Sequence, residues 1–126
     1  MINDKANNIS CSFGNLVIII LNINFPLKEK ELYGRYANYN YENPICCVET
    51  PHESDTLILF RDGHFESEFY GKGRFEVSNG LVSTIILHYI SYGEPALYNT
   101  YFSNKLFEKP KIILNADMNH YYLKVD

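Results

Sequence analysis

The chain has 126 residues, enough for one domain that hides roughly two-thirds of the surface its unfolded form exposes. Its content is 46% hydrophobic and 15% aromatic, with 11 Tyr, 8 Phe and no Trp, which excludes a disordered chain. A net charge of −4 speaks against nucleic acid as a partner, because phosphate binding needs clustered Lys and Arg.

Residues 1–126 read as a single domain whose first 14 residues, polar and Asn-rich, form a loosely held tail. The run Leu16-Val17-Ile18-Ile19-Ile20-Leu21 is too short to cross a bilayer, which takes about 20 apolar residues. Asp4 offsets Lys5 before it and Asn22 and Asn24 follow, so it does not have the pattern of an export signal. A buried strand over 15–24 and a cytoplasmic location are the expectations, or an envelope location if an export signal precedes this start. Next, Asn24 can cap, Pro26 suits a first helical turn, Lys28 to Leu32 favour helix and Gly34 can close it. One or two helical turns follow, with Leu27 and Leu32 inward.

Strand signals then dominate. Candidate strands cover 34–41, 55–60, 64–70, 71–77, 81–92, 96–102, 111–115 and 120–125, which with 15–24 makes nine. Phe65, Ser67 and Phe69 share one face of their segment, the period of two expected of a half-buried strand. Residues 42–54, with Pro44 and Pro51, form the longest loop. Asn79-Gly80 signals a two-residue hairpin, and Gly93-Glu94-Pro95 and Asp117-Met118-Asn119 mark further turns. Short turns between successive strands imply an antiparallel meander, and closure would remove its exposed edges. The expectation is an all-β fold with minor helix: a small β-barrel or strongly curled sheet, with one short N-terminal helix across one mouth.

A short helix, Leu32-Tyr33-Gly34-Arg35-Tyr36, "DTLILFRDGHF" (55–65) and "GKGRFEV" (71–77) together resemble the lipocalin-like and META-type small bacterial β domains. Tyr36 stands where those families carry Trp. The resemblance covers about residues 27–78 and implies a barrel. Such families include ligand carriers, envelope proteins, inhibitors and immunity proteins, and no site residue carries over.

The chemistry-bearing clusters read as structure. Asp62-Gly63 supplies what a tight corner between strands needs, with Arg61 and His64 splayed beside it. Cys46-Cys47 with His52 lacks the spacing and the four ligands of a structural zinc site, and with Cys11 the three thiols make no disulfide framework. Residues 115–119 imitate half a calcium loop, but His120 stands where Gly is needed. Gly71-Lys72-Gly73-Arg74 lacks a phosphate-loop ending and reads as a turn or bulge. No metal, no cofactor and no catalytic set is signalled, and a non-enzyme is expected.

From Glu42 to Glu68 the chain carries seven acids and one base, Arg61. Such a run can steer toward a basic partner. The favoured expectation is therefore a non-catalytic inhibitor of the immunity-protein type that neutralises a basic toxin such as a nuclease. Its contacts would be Glu49, Glu53, Asp55, Glu66 and Glu68, with Tyr39 and Tyr41 as aromatic anchors. The alternatives are a carrier of a small apolar ligand in a cavity lined by Phe65, Phe69, Phe75, Ile85 and Leu87, or an envelope-associated structural protein.

Overall fold

The computed structural model describes residues 16–42 and 50–126. Helix α1 spans residues 16–22 and α2 spans Glu29–Leu32. Eight strands follow: β1 Gly34–Tyr39, β2 Thr56–Leu59, β3 His64–Ser67, β4 Gly71–Ser78, β5 Thr84–Ser91, β6 Glu94–Ser103, β7 Lys111–Asn115 and β8 His120–Lys124. Each pairs antiparallel with its neighbours in sequence, and β8 returns to β1, from Tyr36 opposite Lys124 to Tyr39 opposite Tyr121. The sheet is thus a closed up-and-down barrel.

Alternation decides what fills it. Tyr36, Leu57, Leu59, Phe65, Ile85, Leu87, Phe102, Ile112 and Tyr122 point inward and are almost wholly buried, while the residues between them face out. An eight-stranded interior is just wide enough to be filled by side chains. Gly73 lies directly opposite Phe65, and a Cβ there would collide with the Phe65 ring and the His88 carbonyl. A glycine is what lets the Phe65 ring lie over the neighbouring strand.

The strand over 15–24 is corrected to helix. With β1 hydrogen-bonded to both β2 and β8, no ladder edge is left for a ninth strand. The apolar run coils on itself instead and stays exposed. Asn24 does not cap a helix: it accepts the Asn104 N–H at 2.6 Å and donates to the Phe102 carbonyl at 2.8 Å. Helix α2 starts later, after Lys28, with no side-chain cap. Leu27 and Leu32 are buried as expected, and the Tyr36 hydroxyl donates to the Leu32 carbonyl at 2.6 Å. Two further expectations shift. Asn79-Gly80 opens a longer connection, residues 79–83, and residues 71–74 lie inside β4 rather than in a turn.

The strand directions give the barrel two unlike ends. At one, here the strap end, lie residues 24–33, the β2–β3 corner (60–63), the β4–β5 connection (79–83) and the β6–β7 loop (104–110). At the other, the rim end, lie the described parts of the β1–β2 loop (40–42 and 50–55) and the turns at 68–70, 92–93 and 116–119.

Candidate functional site

The sequence-derived contact residues divide once placed. Asp55 is buried, and its carboxylate is turned inward. One oxygen accepts the Glu68 backbone N–H at 2.9 Å and the other accepts the Tyr122 hydroxyl. Its backbone N–H donates to the Asn38 side chain at 2.7 Å, and Asn38 in turn donates to the Glu53 carbonyl at 2.6 Å. Asp55 is therefore a brace that fixes the returning limb of the β1–β2 loop, and its charge is not presented to solvent. Burial first, and then the hydrogen bond to Asp55, hold the Tyr122 hydroxyl well above the usual tyrosine range, so it remains a donor.

That brace positions the residues on either side of it. Glu53 and Glu68 are both exposed and border one cleft of about 500 Å³ together with His52, Ser54 and Phe69. Ser54 is shared with a second cleft, of about 640 Å³, bordered by Tyr39, Tyr41, Glu42 and Met118. Phe69 is shared with a third, of about 460 Å³, bordered by Ile90 and Tyr92. Through shared Ser54 and Phe69 the three clefts adjoin one another along the rim end, and together they are called the trough.

Its aromatic groups are held rigidly. Tyr39 stacks on Tyr121 across the β1–β8 seam at 5.7 Å between ring centres. Phe69 sits edge-on against the buried Tyr70 at 4.8 Å, and Tyr70 packs on Tyr89 at 5.0 Å. Period-two alternation predicts Phe69 inside the barrel with Phe65. Strand β3 ends at Ser67, whose hydroxyl accepts the Tyr70 N–H at 2.7 Å, and this tight turn breaks the alternation. Tyr70 goes in and Phe69, 43% exposed, goes out. Phe65, Phe75, Ile85 and Leu87 are core.

Glu66 stands apart on the barrel wall, 3.8 Å from Lys72. Glu49, Cys46 and Cys47 lie outside the described residues, as does Cys11. By their sequence pattern Ile90 and Tyr92 fall in the candidate strand 81–92. Tyr92 is fully exposed with a positive φ of 51° at the β5–β6 corner, which the following Gly93 could have signalled. Ile90 falls on the outward phase of a strand whose inward residues are Ile85, Leu87 and Tyr89, a parity legible in the sequence.

The trough is acidic. Glu42, Glu53, Glu68, Glu94 and Asp117 are all exposed at this end and form no ion pair among the described residues; Lys72 is beside Glu66, and the Lys111 ammonium lies over the Tyr121 ring at 4.6 Å. Beneath it His120 is buried, with Nε2 lacking a hydrogen-bond partner among the described residues. Burial and then the neighbouring His52, 6.3 Å away between ring centres, push the His120 pKa below the usual histidine value. At the strap end, Asp62–His64 is a corner: Asp62 accepts the His64 N–H at 3.0 Å and its second oxygen lies 3.1 Å from the ring.

No group of three or more His, Cys, Asp or Glu able to hold a metal occurs among the described residues, and no described helix is long and apolar enough to cross a membrane. No protein-family model, curated protein or solved structure matches the chain.

Proposed function

We propose that this protein is a non-catalytic binding protein whose working surface is the acidic rim trough and whose partner is a basic protein. The observation that carries this reading is the trough itself. Phe69 offers an aromatic face held against Tyr70, Tyr92 adds a fully exposed ring, Glu53 and Glu68 border the same cleft as Phe69, and no described cation pairs with those carboxylates. Large aromatic anchors beside a charged border are how protein interfaces combine affinity with steering. A basic toxin, such as a nuclease whose active surface must attract a polyanion, fits this chemistry, and an immunity-type inhibitor is the reading we favour.

A carrier role has less support. Of the residues that would line an internal cavity, Phe65, Phe75, Ile85 and Leu87 belong to one packed core with Tyr36, Phe102 and Tyr122, and Phe69 faces outward. The proposed function is tested by titrating a basic partner against the native chain and against Glu53→Lys/Glu68→Lys, at low and high salt.

A further inference from the structure

The strap end differs from the rim in both charge and polarity. Of the described Lys and Arg residues, all but Lys72 and Arg74 gather there. Lys28 and Lys30 lie at α2, and Arg35 opens β1. Arg61 is in the β2–β3 corner, Lys105 and Lys109 flank the β6–β7 loop, and Lys111 and Lys124 lie at adjoining strand ends. Five acids share this end: Glu29, Glu31, Asp62, Glu108 and Asp126. The balance is basic in a chain that is acidic as a whole.

Among those cations stand bare apolar side chains on separate elements. Leu81, in the β4–β5 connection, is 97% exposed, and Phe107, in the β6–β7 loop, is 90% exposed. Leu106 is exposed beside Phe107, and Lys105 and Lys109 bracket the pair. Helix α1 adds a third element. Every residue from Leu16 to Leu21 is apolar and exposed, a run longer than one full turn; Asn22, at the helix end, is the one polar residue of 16–22, and its amide donates to the Ile18 carbonyl at 2.8 Å. Asn24, two residues beyond α1, bonds the backbone of Asn104, so the helix issues beside the loop carrying Phe107. Leu27 N–H donates to Ser83 Oγ at 3.1 Å, which ties the same strap to the connection carrying Leu81.

We infer that the strap end docks on an anionic lipid surface. A protein groove or a second copy of the chain would cover one stripe of a helix, whereas a helix apolar all round calls for a medium that covers every side. The seven described residues of α1 make about 10 Å of helix against a hydrocarbon core of about 30 Å, a length that reaches into one leaflet. Leu81, Leu106 and Phe107 enter at the headgroup boundary, and the lysines around them meet lipid phosphates. The acidic rim, at the opposite end of the barrel, is thereby turned away from the surface and left open to a partner.

The test is flotation of the full chain with vesicles of phosphatidylcholine alone or mixed with phosphatidylglycerol, beside two variants checked for native circular dichroism. Leu81→Glu/Phe107→Asn removes the tips, Asn being tolerant of the positive φ of 65° at position 107. Lys105→Glu/Lys109→Glu reverses two charges. The native chain should float with the anionic vesicles and much less with the neutral ones. The tip variant should bind at least about ten-fold more weakly, and the charge variant should lose about five-fold or more per lysine. Failure of the native chain to float with either vesicle would overturn the inference. So would equal uptake by both vesicles, unaltered uptake of the variants, or a concentration-dependent dimer that the tip substitutions abolish.

Discussion

The hydroxyl of Tyr122, on β8, donates to the carboxylate of Asp55, 67 residues earlier at the end of the β1–β2 loop. This bond joins the last strand to the loop limb that carries Glu53 and leads into β2, and Asp55 also receives the Glu68 N–H at the β3–β4 turn. One buried carboxylate thus sets the spacing of the two exposed glutamates on which the proposed interface depends.

Tyr122→Phe removes the donor while keeping the ring, leaving a buried carboxylate short of a hydrogen bond. The expected cost is roughly 1.5–3 kcal/mol, or about 5–10 °C in melting temperature. Asp55→Ala should cost at least as much, since it strands both the Tyr122 hydroxyl and the Glu68 N–H. Thermal unfolding followed by circular dichroism measures both. Loss of less than about 0.5 kcal/mol in each would show that the brace is not made.

Gly73→Ala should be among the most damaging single-methyl additions in the barrel. The new Cβ meets Phe65 and the His88 carbonyl, and the strands must part to admit it, at about 1–3 kcal/mol or more. Urea unfolding gives the number. A neutral substitution would mean that the Phe65 ring does not pack over position 73.

His120 sets a pH dependence. Its folded pKa lies below the value near 6.5 that it has in the unfolded chain. Above about pH 6.5 both states leave it neutral and stability is at its full value. As pH falls through the window between 6.5 and the lower folded pKa, only the unfolded chain takes up the proton, so stability drops. His120→Gln should flatten that part of the stability-against-pH curve. An identical slope in the variant would assign the titration to another group.

Much of the fold was legible because alternation and turn chemistry are local. Strands β2 to β8 and the Asp62-Gly63 corner follow from period-two patterns and Gly-containing turns. The fate of residues 16–22 was not legible. The run Leu16–Leu21 suits a strand by composition, and only the pairing of β8 with β1, more than 80 residues apart, removes the edge it would need. Phe69 and Tyr70 exchanged sides for a similar reason, since the Ser67–Tyr70 turn is specified by one hydroxyl acceptor. At the site, Tyr39 ends β1, Tyr41 and Glu53 lie on the two limbs of the β1–β2 loop, and Glu68 sits in the separate β3–β4 turn, so the strand directions bring all four to one rim. Asp55 looks like another surface acid in a string of acids, and its inward bonds depend on Tyr122, far along the chain.

Placement separates two roles within the acidic run. Glu66→Gln should leave partner affinity within about two-fold, because Glu66 lies on the barrel wall beside Lys72 and outside the trough, whereas Phe69→Ala should weaken binding by about thirty-fold, the effect of removing a central aromatic anchor worth about 2 kcal/mol. Calorimetric titration of both variants against the same partner makes the comparison. A larger loss in Glu66→Gln than in Phe69→Ala would move the interface away from the trough.

The most direct measurement is the affinity of a basic partner, captured from the source cell and repurified, for the native chain and for Glu53→Lys/Glu68→Lys across a salt series. The account predicts binding in the nanomolar range for the native chain, weakening steeply as salt rises, and a loss of about a hundred-fold or more on reversing both charges. Equal affinity of the native and reversed chains, with no salt dependence, would contradict it.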